Sequence, residues 1–185
     1  MSRKAASRPR LPGDPDDRKL VERVLRVDQA GEFGARQIYK GQLAVLRGLP
    51  SEAPIAEMAE QEDRHLEHFD RLLVERQVRP TALTPVWRAA GYALGAGTAL
   101  LGERAAMACT VAVEEVIEEH YRRQAEALGE REPELKETIE EFRRDELAHR
   151  DIGLAHDASA APGYPVLRRG IRAGTRLAIW LSERI

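Results

Sequence analysis

The chain has 185 residues, 43% hydrophobic and 32% charged, enough for one domain around one core. Lys and Arg number 29 against 31 Asp and Glu, a net charge of −2, which lacks the basic excess expected of a nucleic-acid binder. A single cysteine, Cys109, excludes an internal disulfide framework, and few aromatics with much Ala, Leu, Glu and Arg favour helices over strands. In chain order, residues 1–17 carry Arg3, Lys4, Arg8 and Arg10 among prolines 9, 12 and 15, with no apolar run of the secretory-signal kind. A disordered basic tail is expected there. Helices are then predicted over about 16–47, 52–78, 92–128 and 133–157, with a fifth over about 166–184. Loops are expected at Gly48-Leu49-Pro50-Ser51, from Arg79-Pro80 to Pro85, over 129–133 and over 160–165. Pro15, Pro133 and Pro165 fall where a first-turn proline is tolerated. The first four helices imply an antiparallel bundle whose crossover is the second-to-third connection. The most apolar stretch, 89–113, contains Glu103, Arg104 and four glycines, and is not expected to span a membrane.

Two helices carry charge where core residues belong. Ile55, Met58, Glu62, His65, Phe69 and Leu72 recur at helical spacing, and so do Leu135, Ile139, Phe142, Glu146, His149 and Ile152. In both stripes a Glu-x-x-His pair interrupts an apolar face. An unpartnered buried carboxylate would sooner take up a proton than stay ionised. A metal ion is the common explanation, because residues i and i+3 lie one turn apart on one face.

Glu-x-x-His is weak alone; the rest of the constellation makes it specific. Glu32 sits near the middle of the first helix and Glu114 in the third. Glu32 and Glu62 are 30 residues apart, Glu114 and Glu146 are 32 apart, and the midpoints fall at or in the two hairpin loops. Each glutamate therefore stands level with its Glu-x-x-His partner across an antiparallel pair. The order Glu, Glu-x-x-His, Glu, Glu-x-x-His is that of di-iron and di-manganese carboxylate sites in ferritin-like bundles. Four carboxylates balance two divalent cations, and carboxylate with imidazole suits iron or manganese without choosing between them.

Neighbouring residues have plainer roles. Glu115 rivals Glu114, but Glu114 shares a face with Met107, Val111, Ile117 and Tyr121, and Glu115 is turned by about 100°. His68, His120 and His156 lack a preceding glutamate and are expected at the surface or as supports. Tyr121 is expected to pack in the core, with a lining role for a substrate or electron path as the alternative. Cys109 reads as a small core residue. Gly31 and Gly34 flank Glu32 at a cost to the helix; a substrate channel and close helix packing both account for them.

The last helix sets Arg168, Arg169, Arg172, Arg176 and Arg184 among Val166, Leu167, Ile171, Leu177, Ile179, Trp180, Leu181 and Ile185. With Trp87 and Tyr92 beside the apolar stretch 89–101, this favours a membrane-interface surface over a bundle cap or dimer contact. A mean hydropathy of −0.47 fits peripheral association.

Several segments are more specific still. They are Arg26-Val27-Asp28 with Ala30-Gly31-Glu32-Phe33-Gly34-Ala35, GERAAMACTVAVEE at 102–115, FRRDELAHRDIGLAHDA at 142–158 and AIWLSER at 178–184. Over about residues 18–185 the chain resembles the demethoxyubiquinone hydroxylase family, a ferritin-like di-iron group of ubiquinone biosynthesis. Gln29 stands where many members are expected to have His; it is not a matched ligand. The resemblance implies an all-α, ferritin-like four-helix bundle with an additional C-terminal interfacial helix. It implies metal ligands Glu32, Glu62, His65, Glu114, Glu146 and His149. Glu62 and Glu146 would bridge two iron ions, Glu32 and His65 completing one and Glu114 and His149 the other. The implied reaction is hydroxylation of a polyprenylated methoxy-methyl-benzoquinol, with O₂ as co-substrate and NADH as the candidate reductant. The implied setting is peripheral, on the cytoplasmic face of the cell membrane if the chain is bacterial. A second copy of the chain, or other ubiquinone-biosynthesis proteins, are the candidate protein partners. The ligand set alone also permits an iron-storage or detoxification protein, or a membrane-bound di-iron quinol oxidase.

Overall fold

The computed structural model describes residues 17–185. The expected basic tail falls outside these residues except for Asp17, which opens the first helix. The described chain is all helical: α1 (Asp17–Val45), α2 (Glu52–Glu75), α3 (Thr84–Leu100), α4 (Glu103–Leu128), α5 (Pro133–Ala155), a 3₁₀ turn (Ala158–Ala160) and α6 (Tyr164–Ser182).

Four of the five predicted helices are found within a few residues of their expected ends. The third is not: the span 92–128 is two helices. Gly102 adopts φ of +105°, a conformation open to glycine at little cost, and the chain turns there between α3 and α4. Apolar periodicity runs across this point and concealed the break. α3 also begins earlier than expected. Pro85 lies in its first turn, where the missing N–H is not needed, rather than closing a loop. The crossover between the two halves of the bundle therefore contains a helix of its own.

α1 and α2 form one antiparallel hairpin. Gln29 donates to Asp70 at 2.9 Å toward one end, and the Tyr39 hydroxyl meets the Met58 sulfur at 3.8 Å toward the other. α4 and α5 form the second hairpin, pinned by Arg143 to Glu118 at 2.7 Å. α3 lies tightly along α1. A Cβ at Gly95 would stand 1.9 Å from the Ile38 carbonyl oxygen, and one at Gly41 would stand 2.3 Å from that of Tyr92. α6 is held on α4 by Arg168 and Arg172, both bonded to Glu115, and by Arg176 to Glu119 at 3.4 Å. The Trp87 indole N–H donates to Ser182 at 3.0 Å and ties α3 to α6.

The bundle interior has two apolar poles. One gathers Val24, Leu25, Phe69, Tyr121, Leu128 and Ile139; the other gathers Tyr39, Ile55, Met58, Met107 and Val111. Between them lies a polar layer. Four core helices in two hairpins around such a layer make this a ferritin-like bundle, with α3 and α6 added outside.

The α1–α3 contact yields a paired expectation. Gly95→Ala should cost about 1–3 kcal/mol through overpacking. Gly97→Ala, whose Cβ would meet nothing within 4 Å, should add about 0.5–1 kcal/mol. Urea unfolding of the two variants measures both.

Candidate metal centre

The polar layer is made by six side chains: Glu32 of α1, Glu62 and His65 of α2, Glu114 of α4, and Glu146 and His149 of α5. None is more than 3% exposed. His65 Nδ1 stands 3.5 Å from Glu32 Oε2 and 3.6 Å from Glu146 Oε1. His149 Nδ1 stands 3.2 Å from Glu62 Oε1 and 3.5 Å from Glu146 Oε2. Glu32, Glu62, His65 and Glu146 each offer a ligand atom within 4.8 Å of the others, and so do Glu62, Glu114, Glu146 and His149. Glu62 and Glu146 belong to both groups.

The unsatisfied atoms of this layer all face inward. Both oxygens of Glu62 and of Glu146, Oε2 of Glu114, and Nδ1 of His65 and of His149 are buried without a hydrogen-bond partner. Orphaned buried polar atoms are rare in folded proteins, and these are the donor types that hold iron or manganese. The outward atoms, by contrast, are engaged. His65 Nε2 lies 3.0 Å from the Asp145 carboxylate and His149 Nε2 lies 3.1 Å from Gln61 Oε1. Donation there fixes each imidazole with its Nδ1 lone pair toward the cluster. Phe142 stacks on His65 at 3.9 Å between centroids. The residues present thus fit a pair of divalent cations.

Without cations the layer is electrostatically strained. Burial, then the neighbouring carboxylates, push Glu62 and Glu114 well above the usual carboxylate range. Burial alone would lower His65, but Glu146 and Glu32 push it up to about 10. Burial would raise Glu146, but the adjacent imidazoles of His149 and His65 pull it down to about 2. Two divalent ions would replace this arrangement of protons with a neutral cluster.

The rival Glu115 points away, held by Arg168 and Arg172 of α6. His120 lies beside Gln124 at 2.9 Å and Asp28 at 3.7 Å; burial pulls it down to about 4. His68 packs edge-on against Phe69 and Phe142, and exposed His156 bonds the Ile152 carbonyl. Cys109 is buried, its thiol pushed up to about 12 by burial. Tyr121 packs in the core and also donates to Glu32 Oε1. Its counterpart Tyr39 donates to Glu114 Oε1 at 2.7 Å and was not singled out in the sequence. A signal was there: tyrosine follows the glutamate by seven residues in both α1 and α4.

A cavity of about 330 Å³ lies between α1, α3, α4 and α6. Gly31 and Gly34 line it, with Trp87, Val113, Ile117 and Ile179, and the walls are almost wholly apolar. A Cβ at Gly31 or Gly34 would meet nothing within 4 Å, so helix packing does not account for these glycines. Gly31 and Val113, which line the cavity, are the chain neighbours of Glu32 and Glu114.

Fold and cluster together define a ferritin-like helical bundle with a buried carboxylate–imidazole centre. Residues 19–182 match the family described as ubiquinone biosynthesis protein COQ7, and the chain belongs to that family. It is 58% identical over 177 residues to the 3-demethoxyubiquinol 3-hydroxylase of Rhodospirillum rubrum, covering 95% of this chain and 84% of the relative. It is 54% identical over 177 residues to the human mitochondrial NADPH-dependent 3-demethoxyubiquinone 3-hydroxylase, covering 93% and 81%. Against the mitochondrial 5-demethoxyubiquinone hydroxylase of Saccharomyces cerevisiae it is 44% identical over 183 residues, covering 90% and 78%.

The raised groups fix a pH dependence. Stability from the protonated forms of Glu62 and Glu114 is full below the ordinary 4.5 and is lost as pH rises toward their folded values. That from protonated His65 is full below 6.5 and lost through about 10. Glu146 acts oppositely: its contribution is full above 4.5 and lost as pH falls toward about 2. The metal-free protein should therefore melt at a lower temperature at pH 8 than at pH 5.5. Each retained proton contributes a slope of up to about 1.4 kcal/mol per pH unit. Calorimetry at the two pH values, before and after metal loading, should show the loaded protein depending less on pH.

Proposed function

We propose that this chain is a di-iron monooxygenase that hydroxylates the ring of a polyprenylated methoxy-methyl-benzoquinol, the 3-demethoxyubiquinol 3-hydroxylase activity named for its relatives. The observation that carries the proposal is a six-residue donor set with buried, unpartnered atoms, in a bundle that also holds an apolar cavity lined by the chain neighbours of its two outer glutamates. Glu32 and His65 would serve one iron, Glu114 and His149 the other, and Glu62 and Glu146 both. When bound, the iron pair would supply the reduction of O₂ that delivers one oxygen atom to the ring and the other to water.

The chain's own residues do the rest. The apolar walls accept the ring and the start of its isoprenoid tail and exclude water from the reacting carbon. Gly31 and Gly34 leave the space that a side chain would fill. Asp145 and Gln61 orient the two imidazoles, and Tyr121 and Tyr39 hold the outer glutamates. The electrons come from a reduced nicotinamide nucleotide, NADH being the candidate that the family resemblance implies; the human relative is named NADPH-dependent.

The substrate's tail calls for a lipid surface. No helix among the described residues is long and apolar enough to cross a membrane. α3 leaves Val86 and Tyr92 exposed, Leu100 and Leu101 follow at its end, and α6 exposes Val166, Leu177 and Trp180. Both helices border the cavity. Of the five arginines, Arg168, Arg172 and Arg176 pair with α4, and Arg169 and Arg184 lie at the exposed surface. We assign this face to peripheral binding at the membrane, on its cytoplasmic side if the chain is bacterial. Vesicle co-sedimentation should fall severalfold in a Leu100→Glu, Trp180→Glu variant with unchanged circular dichroism. Undiminished binding would refute the assignment.

The activity is checked in cells lacking the chain, by mass spectrometry of their quinones. The wild-type chain should clear the accumulated demethoxy precursor and yield the hydroxylated ring. Glu62→Ala should fail to do so and should purify without its pair of irons. Gly34→Leu, which fills the cavity, should purify with iron yet lose activity by about 10²-fold. Consumption of O₂ and quinol without ring oxygenation would instead identify an oxidase.

A further inference from the structure

We propose that Tyr39 and Tyr121 are a matched pair of positioning residues, one for each metal. Each engages one oxygen of an outer glutamate, so that the carboxylate meets its metal through the other oxygen alone. The inference rests on the two-metal centre proposed above and goes beyond it to the geometry of its outer carboxylates.

The pairing is crosswise. Tyr39 lies on α1 seven residues after Glu32, yet bonds Glu114 of α4; Tyr121 lies on α4 seven residues after Glu114, yet bonds Glu32 of α1. Two turns along a helix return a side chain nearly to the same face. Each tyrosine thus stands over its own helix's glutamate and reaches the glutamate opposite. The two phenols come from opposite apolar poles of the core, and each tyrosine is 1% exposed.

The oxygens divide in the same way on both sides. Glu114 Oε1 accepts from Tyr39 at 2.7 Å, while its Oε2 is buried without a partner. Glu32 Oε1 accepts from Tyr121, while its Oε2 faces His65 Nδ1 at 3.5 Å. A carboxylate held by one oxygen occupies one metal position, where a chelating carboxylate occupies two. Tyr39 also lies edge-on to His149, at 6.3 Å between centroids, so its contacts include two side chains of one metal group, Glu114 and His149.

The test uses the full chain stripped of metal and titrated with Co(II), whose visible absorption reports coordination. The wild type should take up two Co(II) per chain. Tyr39→Phe should weaken one Co(II) by about 10–100-fold and alter about half of the visible signal. Tyr121→Phe should do the same to the other Co(II) and the other half. On a Glu114→Ala background, Tyr39→Phe should change nothing further. Unaltered spectra and affinities in Tyr39→Phe overturn the proposal, as does equal weakening of both ions or a further loss on the Glu114→Ala background. Metal-free Tyr39→Phe that fails to fold by circular dichroism also overturns it, because the hydroxyl would then be a structural bond. Failure of the wild type to bind two Co(II) would count instead against the two-metal centre itself.

Discussion

Four carboxylates cannot share a water-free space unless their charge is answered. Glu32, Glu62, Glu114 and Glu146 do share one, each buried to within 3% of complete exclusion. Two imidazoles at 3.2–3.6 Å answer part of that charge, and the upward shifts of Glu62 and Glu114 show that it is not enough. The surrounding structure is arranged around this difficulty. Apolar clusters close the layer at both ends, outward hydrogen bonds fix the imidazoles and the outer glutamates, and the shared inner glutamates are left unbonded. A fold that sought stability alone would gain by replacing such a layer with packed hydrocarbon.

The outer helices solve a different problem. α3 could be a simple crossover, but glycines at 41 and 95 bring its backbone against α1 so closely that no side chain fits between. Elsewhere on α1, Gly31 and Gly34 face open space. One residue type therefore does opposite work along a single helix, closing the contact with α3 at one point and holding the cavity open at another. α6 completes the enclosure, and its arginines divide between fastening it to α4 and facing outward.

The bundle and its six inward residues were legible because burying charge leaves a mark in sequence: a carboxylate in the middle of an apolar stripe has few explanations, and hairpin symmetry placed all four at one height. The choice of Glu114 over Glu115 followed from helical angle alone, and the structure sends the two side chains to opposite partners. Tyr39 was missed because a tyrosine in an apolar stripe looks like packing until the repeat with Tyr121 is noticed. The α3–α4 break was missed because apolar periodicity continues through it, although Gly102 marked the turn. How the arginines of α6 divide was not legible, because sequence gives their spacing but not the acidic residues on the helix they meet. Gly31 and Gly34 stayed ambiguous because a helical glycine serves close approach and empty space equally well until its neighbours are known.

The shared glutamates tie the two halves of the molecule together. The α1–α2 hairpin brings Glu32, Glu62 and His65, and the α4–α5 hairpin brings Glu114, Glu146 and His149. Each four-residue group borrows one glutamate from the opposite hairpin. A cation seated in either group would act as a cross-link between segments distant in the chain, much as a disulfide does, but one that can be made only after both hairpins have formed and met. Nascent chains would thus acquire the ions late, and an emerging N-terminal half alone could complete neither group.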